Sequence, residues 1–194
     1  MAIQWPLVIF SLLAGAGGAL LAFVGLAKKA RVPAAVGALV LLVVGGCASV
    51  AHLAQPANIM AAAANVFSFS GISVELIMLG VNAIVAVAYM LTARGESANA
   101  TKIVGIVGIV TGVAMTFVVG NGYVMEAQPN WNTPALPFAY LGSGLATGGA
   151  LFATLMAALK TDEADFRGIM PWVLGATVVQ LVAFLAYGFA IGFA

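Results

Sequence analysis

Six long stretches of this sequence are apolar and almost free of charge: 7–27, 34–53, 71–91, 103–122, 136–159 and 169–193. Each is long enough to cross a hydrocarbon core of roughly 30 Å, which takes about 20 residues of helix. In lipid the backbone must satisfy its own hydrogen bonds, so a spanning segment is a helix or part of a closed barrel. The expectation is an all-α fold, a polytopic integral membrane bundle of about six transmembrane helices. Only 7% of the 194 residues are charged, against ~25% in a soluble domain. That leaves no room for a separate soluble domain, and residues 1–194 read as a single transmembrane domain.

The few charges are ordered. All seven Lys and Arg residues lie in or beside three of the linkers: Lys28, Lys29 and Arg31 in the first, Arg94 and Lys102 in the third, Lys160 and Arg167 in the fifth. By the positive-inside rule these linkers face the cytoplasm and both termini face outward, an N-out/C-out arrangement. The first apolar stretch has its positive residues after it, the reverse of a signal peptide, and is expected to be retained as a helix. A net charge of +1 offers no basic surface for nucleic acid. The expected partners are membrane lipid, protein or a small apolar ligand. The single cysteine, Cys47, allows no intrachain disulfide and reads as a small core residue. With His52 the only histidine, a haem held by two histidines of this chain is ruled out. No metal or haem site is expected in this chain.

The second and fourth linkers, 54–70 and 123–135, are less polar than the cationic ones. Ile59, Met60, Ala63 and Phe67 recur at helical spacing, which suggests a short helix lying on the membrane. Pro129, Trp131, Pro134 and Pro137 suggest a stiff turn carrying an indole at headgroup level. Acidic Asp162, Glu163 and Asp165 read as a hydrated turn. Glycines at 15, 17, 18, 108, 112, 144 and 148 read as close helix packing, because small residues let backbones approach in lipid.

Ionisable groups at membrane depth are costly and therefore point to function. Glu75 stands about one turn inside its helix, roughly 6 Å along the axis. His52 stands at the same side, at the outer end of the second helix, and titrates in the physiological range. Together they can take the two protons that a quinol releases on oxidation. Two plainer readings compete: a histidine at a helix end often complements the helix dipole or snorkels, and a first-turn carboxylate does the same at the opposite terminus. The intramembrane charges are too few, and no polar file is evident, for an ion-coupled transporter.

The residues Trp5-Pro6-Leu7 with Ile9-Phe10, Ala51-His52-Leu53 with Pro56, Ser73-x-Glu75, and Trp131-x-Thr133-Pro134 resemble, in order and spacing, the DMSO reductase membrane-anchor subunit (DmsC) family in a short six-helix version. The resemblance implies a subunit of the bacterial cytoplasmic membrane that anchors a molybdopterin catalytic subunit and a ferredoxin-like iron–sulfur subunit on the outer face. It implies oxidation of menaquinol, with electrons passing to the iron–sulfur subunit. His52 matches the histidine implicated in quinol binding, and Glu75 the acidic residue of the next helix. Asn58 stands where the family has an arginine, and six helices stand where eight are expected. Asn58, Asn65, Ser73 and Trp131 join His52 and Glu75 as candidate quinol-binding residues. The rival readings are a structural anchor without a quinol site, and a small transporter component.

Overall fold

A computed structural model of the chain describes residues 5–51, 60, 64, 66–68, 70–95 and 97–192. Its six long helices are α1 (Trp5–Leu26), α2 (Arg31–Ala51), α3 (Gly71–Arg94), α4 (Ala98–Asn121), α5 (Ala135–Ala158) and α6 (Glu163–Ala190). All six are long and apolar enough to span a membrane, and among the described residues there is no strand.

Five of the six helices begin before their apolar stretches, α3 being the exception, because a helix can continue once it has left the hydrocarbon. The largest correction is at α6, which starts six residues before the apolar limit. The supposed hydrated turn of Glu163 and Asp165 is its first turn, where negative charge complements the helix dipole. Glu163 there accepts a hydrogen bond of 2.6 Å from Arg167, one turn on. Likewise α4 begins at Ala98, so Lys102 stands on a helix rather than in a linker.

Helix α1 is the axis of the bundle. It packs against α2, α4 and α5, while α6 packs mainly on α5. The reason is local: 14–19 reads Ala-Gly-Ala-Gly-Gly-Ala, and every one of these residues is buried. A stripe this small admits neighbours on several sides, and van der Waals contact between close backbones holds helices together where lipid removes the hydrophobic force. At the α1–α4 crossing, a Cβ on Gly112 would lie 2.2 Å from the Gly18 carbonyl oxygen, and one on Gly25 would lie 2.3 Å from that of Gly105. Larger residues fill the space beyond, with Phe23 stacked on Phe152 at 6.0 Å. Asn82, fully buried, donates from Nδ2 to the Met78 carbonyl at 2.8 Å and the Thr111 carbonyl at 3.2 Å, tying α3 to α4.

Cys47 corrects the sequence reading: it is exposed on the outside of the bundle. An apolar run looks alike on its lipid-facing and inward-facing sides, so hydrophobicity alone does not assign a face. Of the proposed surface helix, Ile59 and Ala63 lie outside the described residues. Met60 is helical and exposed, and Phe67 is exposed within a 3-10 turn, Val66–Ser68.

The two ends of the bundle differ in chemistry. Lys28, Lys29, Arg31, Arg94, Lys102, Lys160 and Arg167 share one end, where α1, α3 and α5 finish and α2, α4 and α6 begin. The opposite end carries Trp5, Tyr123, Trp131, Tyr140 and Tyr187. Hydrogen bonds between residues far apart in sequence close this aromatic end: the Tyr123 hydroxyl donates to the Leu7 carbonyl at 3.3 Å, and that of Tyr187 to the Asn130 carbonyl at 2.9 Å.

Candidate functional site at the aromatic end

Three serines set the start of α3. Ser70 caps the helix by accepting from the Ser73 backbone N–H at 3.3 Å. Its hydroxyl lies 2.7 Å from that of Ser73, which in turn lies 2.9 Å from that of Ser68. Such caps satisfy the orphan donors of a first turn. Ser73 is thus buried and holds the turn that presents Glu75 two residues later.

The Glu75 carboxyl lies over Gly122, at the far end of α4. A Cβ built on that glycine would fall 2.0 Å from Glu75 Oε1. The absence of a side chain at 122 is what gives the carboxyl its seat. Beside it stands Tyr123, whose ring stacks on Tyr140 at 5.4 Å and meets Trp131 edge-on at 6.0 Å. Burial first, then the neighbouring Tyr140 phenol and the Glu75 carboxyl, push the Tyr123 hydroxyl up to about 12, against the lowering effect of the Ser11 hydroxyl. Tyr123 is therefore a fixed neutral donor across the physiological range. Ser11 also lies within hydrogen-bonding reach of Tyr140 and donates to the Val8 carbonyl at 3.1 Å.

Ser11 and Tyr140 connect this cluster to a cavity of about 330 Å³ between α1, α5 and α6, at the small end of the range of ligand pockets, ~300–1,000 Å³. Its polar lining is neutral: Ser11, Thr116, Tyr140, Ser143, Thr147, Gln180 and Tyr187. Its apolar lining includes Leu12 and Phe184, both exposed on the bundle surface. The space therefore combines hydrogen-bonding groups inside with an oily mouth, the pattern that fits an amphiphile with a small polar ring. This polar lining, drawn from four helices, is more extensive than the sequence reading allowed.

Of the sequence candidates, the structure places Glu75, Ser73 and Trp131 at this one end: Glu75 in the cluster, Ser73 in the cap that positions it, and Trp131 against Tyr123. His52, Asn58 and Asn65 lie outside the described residues. Helix α2 nevertheless reaches this end. Gly46 faces Leu79 of α3, and counting along the antiparallel pair sets Val50 level with Glu75. The sequence reading missed Ser11, Gly122, Tyr123 and Tyr140. Each taken singly resembles a packing or interfacial residue, and no local motif links them. The one usable signal was Glu75 itself, which needs polar neighbours at membrane depth. Among the described residues, no three His, Cys, Asp or Glu side chains gather as metal ligands.

A bundle of six membrane-length helices with a half-buried cluster of polar side chains at one end is the form of an integral membrane protein. The model of the DMSO reductase anchor subunit family (DmsC) matches residues 1–192, essentially the whole chain. The chain belongs to that family, as the motifs around His52, Glu75 and Trp131 suggested. No curated protein and no solved structure gives a match.

Proposed function

We propose that this anchor subunit oxidises menaquinol at the aromatic end of the bundle and passes the electrons to an iron–sulfur partner. The observation that carries the reading is the Glu75 carboxyl seated over Gly122, beside the Tyr123–Tyr140 stack that leads into the polar-lined cavity. In this scheme the quinol ring enters from lipid past Leu12 and Phe184, and its isoprenoid tail stays in the oily mouth. Ser11 and Tyr140 orient its hydroxyls. Oxidation gives quinone, two protons and two electrons. Glu75 and His52 each take one proton, and the electrons leave singly to the nearest cluster of the iron–sulfur subunit, which in turn feeds a molybdopterin catalytic subunit. Ser73 supports Glu75, and Trp131 packs the stack; Asn58 and Asn65 belong to the linker that follows His52 and remain candidates for contact with the headgroup. The aromatic end faces outward in a bacterial cytoplasmic membrane, with both termini and the partners on that side.

The test uses the purified complex carrying Glu75→Gln or His52→Gln. Quinol-coupled turnover is expected to fall by at least ~10²-fold, the lower range for loss of a general base, while the partner subunits stay bound. Turnover within twofold of wild type in both variants, with assembly intact, would leave only a tether.

A further inference from the structure

The opposite end holds a second cavity, of about 930 Å³, between the ends of α1, α2, α3, α4 and α5. Four cations line it: Lys28 and Lys29 from the α1–α2 turn, Arg31 from the start of α2, and Lys102 from α4. The turn is tight, with Ala30 in the left-handed region at φ 57°, and the Arg31 Nε donates back to the Ala27 carbonyl. No Asp or Glu lines this cavity among the described residues; Glu96, in the α3–α4 turn, lies outside them. Tyr89 also lines it. The residue is 1% exposed, with its hydroxyl sealed from the cavity beside the Arg31 guanidinium, and the Thr101 hydroxyl is spent on the Thr92 carbonyl at 2.9 Å. Four like charges round one cavity repel unless an anion lies among them. Val24, Ile106 and Leu159 make the remaining wall apolar.

We propose that this cavity binds the phosphate of an anionic phospholipid, with Lys28, Lys29, Arg31 and Lys102 round the phosphate and an acyl chain along Ile106 and Leu159. The apolar wall favours a lipid over free phosphate, and basic pockets between transmembrane helices are suited to such headgroups. The site is separate from the quinol cavity and independent of the proposed quinol chemistry.

Native mass spectrometry of the purified full chain in detergent tests this, with phosphatidylglycerol and phosphatidylcholine of identical chains as probes. Retention of phosphatidylglycerol is expected to exceed that of phosphatidylcholine by at least about tenfold. Each lost cation should reduce that preference about fivefold, so K29Q/K102Q should abolish it. Arg167→Gln, whose charge is already paired with Glu163, should change nothing. If the double variant elutes as aggregate, the single variants K29Q and K102Q carry the test, at about fivefold each. An unchanged preference in K29Q/K102Q overturns the proposal. So does displacement of phosphatidylglycerol by millimolar inorganic phosphate, which would make the ligand the free anion.

Discussion

Gly122→Ala isolates the position of the Glu75 carboxyl from its chemistry. The backbone at 122 is right-handed helical, φ −62° and ψ −19°, so alanine fits without backbone strain and is favoured over glycine by up to about 1 kcal/mol. The new methyl would start 2.0 Å from Oε1 and 3.0 Å from Cδ of Glu75. Ordinary contact begins near 3.4 Å, so the carboxyl oxygen must retreat by about 1.4 Å. That is cheap, because the colliding atom is the tip of a flexible side chain and not backbone. Stability should therefore hold, while the proposed proton acceptor leaves its seat. A displacement of about 1 Å can cost ~10²-fold in rate, so kcat for a water-soluble menaquinol analogue should drop about ten- to a hundredfold in the purified complex. KM should move less, because the cavity walls are untouched. Gly175→Ala, which meets nothing within 4 Å, is the control and should keep wild-type rates. If Gly122→Ala keeps full turnover while Glu75→Gln is inactive, the carboxyl tolerates displacement and the positional reasoning is refuted.

Other substitutions probe the frame. Gly25→Ala and Gly112→Ala drive a methyl to within 2.3 Å of a backbone oxygen on the facing helix, so the helices themselves must part. Each should cost about 1–3 kcal/mol or more, read as a lowered unfolding temperature in detergent and loss of bound partners. Tyr123→Phe removes the donor to Leu7 but keeps the stack on Tyr140, for a loss of about 0.5–1.5 kcal/mol in chemical unfolding. Because the folded state raises the Tyr123 hydroxyl from 10.0 to about 12, the neutral form is favoured by folding. The stability this contributes is complete below pH 10 and disappears as pH climbs towards 12. Wild type should lose stability over that window, and Tyr123→Phe should show a smaller loss.

The spans were legible because hydrocarbon thickness imposes a length on every crossing helix, whatever its sequence. Their ends were not, since Glu163, Arg167 and Lys102 are as content on the first turns of helices in water as in loops. Faces were illegible for a related reason: lipid and protein interior are equally apolar, so nothing in the run around Cys47 marks it as outward. The small residues of α1 announced close packing without revealing their partners. Gly18 meets Gly112, and Gly25 meets Gly105, only because two helices cross there. At the candidate site the charged residue was legible and its neutral neighbours were not. Glu75 is conspicuous in an apolar segment, whereas Ser11, Tyr123 and Tyr140 look like a packing hydroxyl and two interfacial phenols until the fold sets them together.

The separation of charges between the two ends bears directly on what Glu75 can do. Every Lys and Arg of the chain lies at the other end of the bundle, so none of them can pair with this carboxyl. A carboxyl held by a guanidinium is fixed as an anion, and taking up a proton would mean giving up the ion pair. Among the described residues, its neighbours at the aromatic end are neutral hydroxyls and a glycine that leaves room. Such a carboxyl can accept and release a proton without breaking an ion pair, as a proton acceptor in turnover must. The cations excluded from that end are gathered round the cavity proposed for lipid phosphate, so one charge asymmetry would serve both proposed sites. A lysine brought to the carboxyl, as in Gly122→Lys, should therefore lower quinol turnover well beyond the loss in Gly122→Ala, by pinning Glu75 in its charged state as well as displacing it. Turnover that survived such a neighbour would mean that the carboxyl does not cycle at all.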